Sequence, residues 1–161
     1  MSFITETGTG IPGATSYLSL EEADAHFAAL ARQDWTDAVT AARQNALMQA
    51  SLYADFYDYP GAVLSNTQGL KWPRSGACDP EGRILAGLPH ALRTAVLELA
   101  ADYITSPPDA LEGRRTVKEK IGSLELVYSS TKHGPSFVFR LLLQIGARPS
   151  SSGGSHTMMR G

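Results

Sequence analysis

The chain has 161 residues, of which 43 % are hydrophobic and 19 % charged, with a formal net charge of −2. That size and balance fit one globular domain with a core large enough to need no staples. They exclude a strongly basic protein that coats nucleic acid through its overall field, and the single cysteine, Cys78, excludes an internal disulfide.

Residues 1–17 carry four Thr, three Gly and one Pro and read as an extended arm. They show neither the basic nor the apolar segment of a secretory leader, so cytoplasmic synthesis is expected. Ser19-Leu20-Glu21-Glu22 has capping-box spacing, and a helix should follow to about Ala31. A turn at Asp34–Asp37 offers Thr36 or Asp37 as the next N-cap. A longer helix should run from Ala38 to Tyr57, with Val39, Ala42, Ala46, Leu47, Ala50, Tyr53, Ala54 and Tyr57 on its apolar stripe. Tyr59-Pro60-Gly61 ends it.

Residues 62–88 form a long connection rich in Gly and Pro, anchored by Leu70 and Trp72. Connections of this length often carry function. Pro89 opens a third helix that reaches about Ile104, with Leu92, Ala95, Val96, Leu99, Ala100 and Tyr103 facing the core. Pro107-Pro108 stops it. Within residues 114–128, Val117, Glu119 and Ile121 alternate with lysines. Gly122-Ser123 breaks the run, and Leu124, Leu126 and Tyr128 alternate beyond it. That pattern predicts a β-hairpin, which needs a surface or partner to be stable. Residues 136–145 give a last helix, apolar almost all round through Phe137, Phe139, Leu141, Leu142 and Leu143. Residues 147–161 form a Ser/Gly-rich tail. The expected fold is mainly α: a small bundle of about four helices with one hairpin, an N-terminal arm and a flexible tail, residues 1–146 making one domain. No run approaches the ~18 apolar residues of a membrane span.

No catalytic constellation stands out. His26, His90, His133 and His156 lack partners at metal-ligand spacing, so neither metal nor cofactor is expected. Glu21, Glu22 and Asp24 suit the start of a helix dipole. Gly8–Gly13 is glycine-rich but lacks the Gly-Lys-Ser/Thr ending of a phosphate loop. Ser75 and Cys78 have no identifiable activating base. Lys71, Trp72 and Arg74 place two cations beside an aromatic, a pattern that can hold single-stranded nucleic acid; a core Trp72 with solvent-facing cations explains it too. Arg114, Arg115, Lys118 and Lys120 are the densest basic cluster. They could face DNA phosphates or guard an edge strand against aggregation.

Read in order, several motifs carry a resemblance. They are Gly8-Thr9-Gly10, Ser16-Tyr17-Leu18-Ser19-Leu20-Glu21-Glu22-Ala23-Asp24, the Ala-rich helix ending near Tyr57, and Leu70-Lys71-Trp72-Pro73-Arg74-Ser75-Gly76. Pro89-His90-Ala91-Leu92, Val117–Gly122 and Leu126-Val127-Tyr128 complete the set. The chain resembles small phage neck proteins carrying a DnaT-like label. The resemblance implies a non-enzymatic head–tail connector of the virion neck. It would form a ring, commonly of twelve copies, between the portal protein and the next neck or tail-completion protein, and double-stranded DNA would pass through it unread. On that reading Ile121, Leu124, Leu126, Tyr128, Phe137 and Phe139 face neighbouring subunits or the portal. Arg114, Arg115, Lys118 and Lys120 line the channel. The competing reading is a module that binds single-stranded DNA, with Trp72 or Trp35 reporting the bound strand by quenching.

Overall fold

A computed structural model describes residues 1–106 and 135–150. Four of the five described helices arise near where the periodicity places them, with shifted ends. Helix α1 is Leu20–Ala29, and its N-cap Ser19 forms the full capping box with Glu22: Oγ of Ser19 accepts from the Glu22 amide at 3.2 Å, and Glu22 Oε2 accepts from the Ser19 amide at 2.9 Å. The Asp34–Asp37 turn is instead a short helix, α2, Gln33–Asp37. Helix α3 is Thr40–Ala54, capped by Val39 rather than by Thr36 or Asp37. Val39 therefore sits before the first turn and is 71 % exposed instead of joining the core stripe. Helix α4 is His90–Thr105 and α5 is Pro135–Leu143.

The core lies between α3 and α4, with α5 packed on α4. Ala46, Ala50 and Ala54 of α3 and Ala91, Ala95, Ala100 and Ala101 of α4 are buried, and Leu47, Leu92 and Val96 fill the space between them. Small side chains set a short interaxial distance. Each fully buried leucine contributes about 1.5–3 kcal/mol. Trp35 packs 4.4 Å from Phe27 and donates its Nε1–H to Asp24 at 2.7 Å, which joins α2 to α1.

The strands are short. β1 (Tyr57–Asp58) pairs antiparallel with β4 (Arg148–Pro149), and β2 (Ala62–Val63) with β3 (Arg74–Ser75). Five helices and two such ladders among the described residues agree with a mainly α class. The hairpin expected within 114–128 lies outside the described residues.

Two segments depart from expectation. Residues 1–17 do not form a free arm. Tyr17, Leu18 and Ala14 are core residues, and Thr5 bridges to Ser16. The glycine-rich run wraps the carboxylate of Glu6, which is 1 % exposed. The amides of Gly8, Thr9 and Gly10 donate to Oε1 at 2.9, 3.0 and 2.9 Å, and that of Ile11 to Oε2 at 2.7 Å. A buried carboxylate is tolerable only with such charge-assisted bonds. Residues 147–150, expected within the tail, are docked: Ala147 is buried and Arg148–Pro149 form β4.

Candidate nucleic-acid interface

Beyond α3 the chain turns back through Tyr59-Pro60-Gly61. Gly61 has φ +75, and a Cβ there would lie 2.4 Å from the Ser75 carbonyl oxygen, so the turn requires glycine. Two cations clamp this segment. Lys71 Nζ donates to the Tyr57 carbonyl at 2.6 Å and to Asp58 at 3.2 Å. Arg74 donates to the carbonyls of Pro60 at 2.7 Å, Gly61 at 2.8 Å and Lys71 at 3.2 Å.

Beneath the clamp lies a polar network. The Tyr17 hydroxyl donates to Asp55 Oδ1 and accepts from the Trp72 amide. The Lys71 amide donates to Asp55 Oδ2 at 3.0 Å. Tyr17 N–H donates to Ser51 Oγ at 3.0 Å, and Ser51 Oγ donates to the Leu47 carbonyl at 2.8 Å. Burial raises the Asp55 carboxyl; the Tyr17 hydroxyl, the Lys71 amide and the nearby cations oppose that rise only in part. Burial, then the neighbouring Asp55 charge, push the Tyr17 phenol up as well.

At this turn four aromatic rings adjoin one another, two contacts being edge-on and one stacked. Tyr53 meets Phe56 at 6.5 Å and Tyr57 at 5.9 Å, and Tyr57 stacks on Phe139 of α5 at 5.7 Å and 28°. The Tyr53 and Tyr57 hydroxyls are 3.2 Å apart. Phe56 is 62 % exposed, while Tyr53, Tyr57 and Phe139 are half-buried. Burial raises the Tyr57 phenol, which keeps it neutral. Ser150 donates to the Phe56 carbonyl at 2.6 Å and pins β4 beside the rings.

The cations around this strip divide sharply. Among the described residues, Arg32, Arg43, Lys71, Arg83 and Arg93 are paired with carboxylates, and Arg74 with backbone carbonyls. Arg140 and Arg148 are exposed and have no such partner. Arg140 follows Phe139 on α5, and Arg148 lies in β4, opposite Asp58 of β1.

Several expected candidates take other places. Trp72 is 0 % and Trp35 2 % exposed, so neither can stack a base or report one by contact. Lys71 and Arg74 serve the turn, not the solvent. Glu22 and Asp24 are structural: Arg93 donates to Glu22 at 2.6 Å, and Asp24 accepts from Trp35 and Arg43. Phe137 is 37 % exposed on α5. Ile121, Leu124, Leu126, Tyr128, Arg114, Arg115, Lys118 and Lys120 lie outside the described residues. No group of three metal-ligating side chains occurs among the described residues. The strip itself had a sequence signal: Tyr53, Phe56 and Tyr57 at i, i+3 and i+4 put three rings on one side of a helix end.

Residues 1–159 match the model of the family described as "Putative DnaT-like ssDNA binding protein". The chain belongs to this family. No curated protein and no solved structure matches it. The DnaT-like resemblance thus holds at the level of family, and its extension to a head–tail connector does not. The family's description concerns single-stranded DNA, which overturns the expectation of a virion neck ring with portal and tail-completion partners and a double-stranded DNA channel.

Proposed function

We propose that this chain is a non-enzymatic module that binds single-stranded DNA. Bases stack on the strip of Phe56, Tyr57 and Phe139, and Arg140 and Arg148 meet the phosphates. The observation that carries this reading is the exposed Phe56 ring beside half-buried Tyr57 and Phe139, with two described arginines that no internal group engages on the same elements, Arg140 next to Phe139 on α5 and Arg148 in the strand paired with β1. Base–aromatic stacking contributes about 1–3 kcal/mol per base and accepts any base, because each has a π face. Paired bases in a duplex hide those faces, so single strands are preferred. The family description supports the same ligand.

Two arginines make a modest electrostatic contribution. At a slope of roughly −0.7 per neutralised phosphate, log K should fall against log salt with a slope of about −1.4. The net charge of −2 is compatible with a contribution of that size from the two described arginines.

Anisotropy titrations of a labelled oligo(dT) of about twelve nucleotides, a length within the range of known single-strand sites, test the reading. Binding that weakens at least about fivefold in Phe56→Ala, with duplex bound more weakly, supports it. Equal affinity for single strand and duplex, unmoved by Phe56→Ala, overturns it.

A further inference from the structure

An open cavity of about 360 Å³ lies against the same ladder. Its volume falls within the ~300–1,000 Å³ of small-molecule sites. Pro60, Pro80 and Leu143 give it an apolar lining, and Cys78 and Arg148 also line it. Side chains alternate along a strand, and the register pairs Tyr57 with Pro149 and Asp58 with Arg148. Arg148 therefore leaves the ladder on the face opposite Tyr57, toward the cavity. Leu143 stands one helical turn beyond Phe139, at i+4 on α5, so one helix carries a ring of the strip and, a turn later, part of the cavity's lining.

The chemistry of the cavity is divided. Its walls are apolar, and its one basic group is an arginine that no described carboxylate engages. The other charged lining residue, Asp79, is held by Arg83 at 2.7 Å and by the amides of Glu81 and Arg83 at 3.0 and 2.8 Å. Gly146 keeps the cavity's side narrow: it has φ +76, and a Cβ there would lie 3.0 Å from the Pro60 ring. Apolar lining from Pro60, Pro80, Leu143 and Ala147 together with an exposed arginine suits a base whose phosphate stays in solvent.

We propose that this cavity takes one unstacked nucleotide of the bound strand. The base enters among Pro60, Pro80 and Leu143, and its phosphate meets Arg148. The proposal rests on the single-strand reading and adds to it a position where the strand leaves the aromatic strip.

The test uses the full chain and a series of oligo(dT) strands carrying 2-aminopurine at successive positions. This base is dim when stacked on rings or neighbouring bases and brightens among aliphatic walls. One position should brighten on binding, with the flanking positions staying dim. Leu143→Trp, at a side chain 41 % exposed, should fill the cavity and abolish that brightening. It should weaken binding about fivefold, the loss of one base contact, while Phe56→Ala should leave the bright position bright. Binding with every position dim, or brightening that survives Leu143→Trp, overturns the proposal and leaves stacking on the strip intact. No binding of any strand overturns both.

Discussion

The hydroxyl of Tyr17 and the carboxylate of Asp55 join two segments distant in sequence. Tyr17 is fully buried, and its hydroxyl also accepts the amide of Trp72. The Ser16-Tyr17-Leu18 and Lys71-Trp72-Pro73-Arg74 motifs thus meet in one hydrogen-bond network, and that network supports the turn bearing the aromatic strip.

Removing the hydroxyl alone should therefore cost stability. Tyr17→Phe leaves the Trp72 amide without its acceptor and Asp55 Oδ1 without its donor, while Oδ2 keeps the Lys71 amide, at about 1–3 kcal/mol for a group left unpaired. For a chain of this size the thermal midpoint should fall by roughly 2–4 °C per kcal/mol. Calorimetry on the two proteins measures it; an unchanged midpoint would show that the network carries no net stability.

Asp55 gives the protein a pH signature. Its carboxyl is raised in the fold by burial, so the folded state holds its proton at pH values where the unfolded chain has lost it. Its contribution to stability is full below the ordinary aspartate range. It diminishes as pH rises through the raised value, because the folded state then binds more protons than the unfolded one. Asp55→Asn should remove that component of the slope and lower stability at acid pH, since its –NH₂ replaces one of the two oxygens that accept from Tyr17 and Lys71. Thermal midpoints of both proteins from acid to neutral pH check the sign; parallel curves would remove Asp55 as the source.

Glu6 should matter as a charge. Glu6→Gln keeps the shape but turns an –NH₂ toward amides that now donate to a carboxylate. Each donor left unpaired costs about 1–3 kcal/mol. Hydrogen exchange should accelerate at Gly8–Ile11 in the variant, and full protection there would contradict the clamp.

Much of this was legible beforehand and some was not. The Ser19/Glu22 capping box and the α4 stripe are local patterns, and they formed as spaced. The glycines of residues 8–13 read as a chain reversal because the pattern does not reveal that Glu6 supplies an anion for their amides to surround. Trp72 anchors its loop in the core as its sequence context suggests, packed at 5.6 Å against Tyr59, but the cations beside it looked free to face solvent or a strand and instead bind carbonyls. Tyr53 and Tyr57 looked like core, since a helical stripe cannot show that Phe139 arrives from 82 positions later to extend them into a surface. The freedom of Arg140 and Arg148 emerges only once the other described cations find partners.

Lys71 should position the strip without touching the strand. Lys71→Met removes the ammonium bonded to the Tyr57 carbonyl and to Asp58. Affinity for oligo(dT) should drop severalfold while the salt slope stays near that of the parent chain, because no phosphate contact is lost. A slope shallower by about 0.7 would instead make Lys71 a phosphate ligand.

The most direct test of the central claim is photo-crosslinking of a bromodeoxyuridine-substituted single strand, followed by mass spectrometry of the adducts. Adducts on peptides carrying Phe56, Tyr57 and Phe139 are the predicted result. Adducts confined to other peptides, with the strip unmodified at saturating strand, would contradict it.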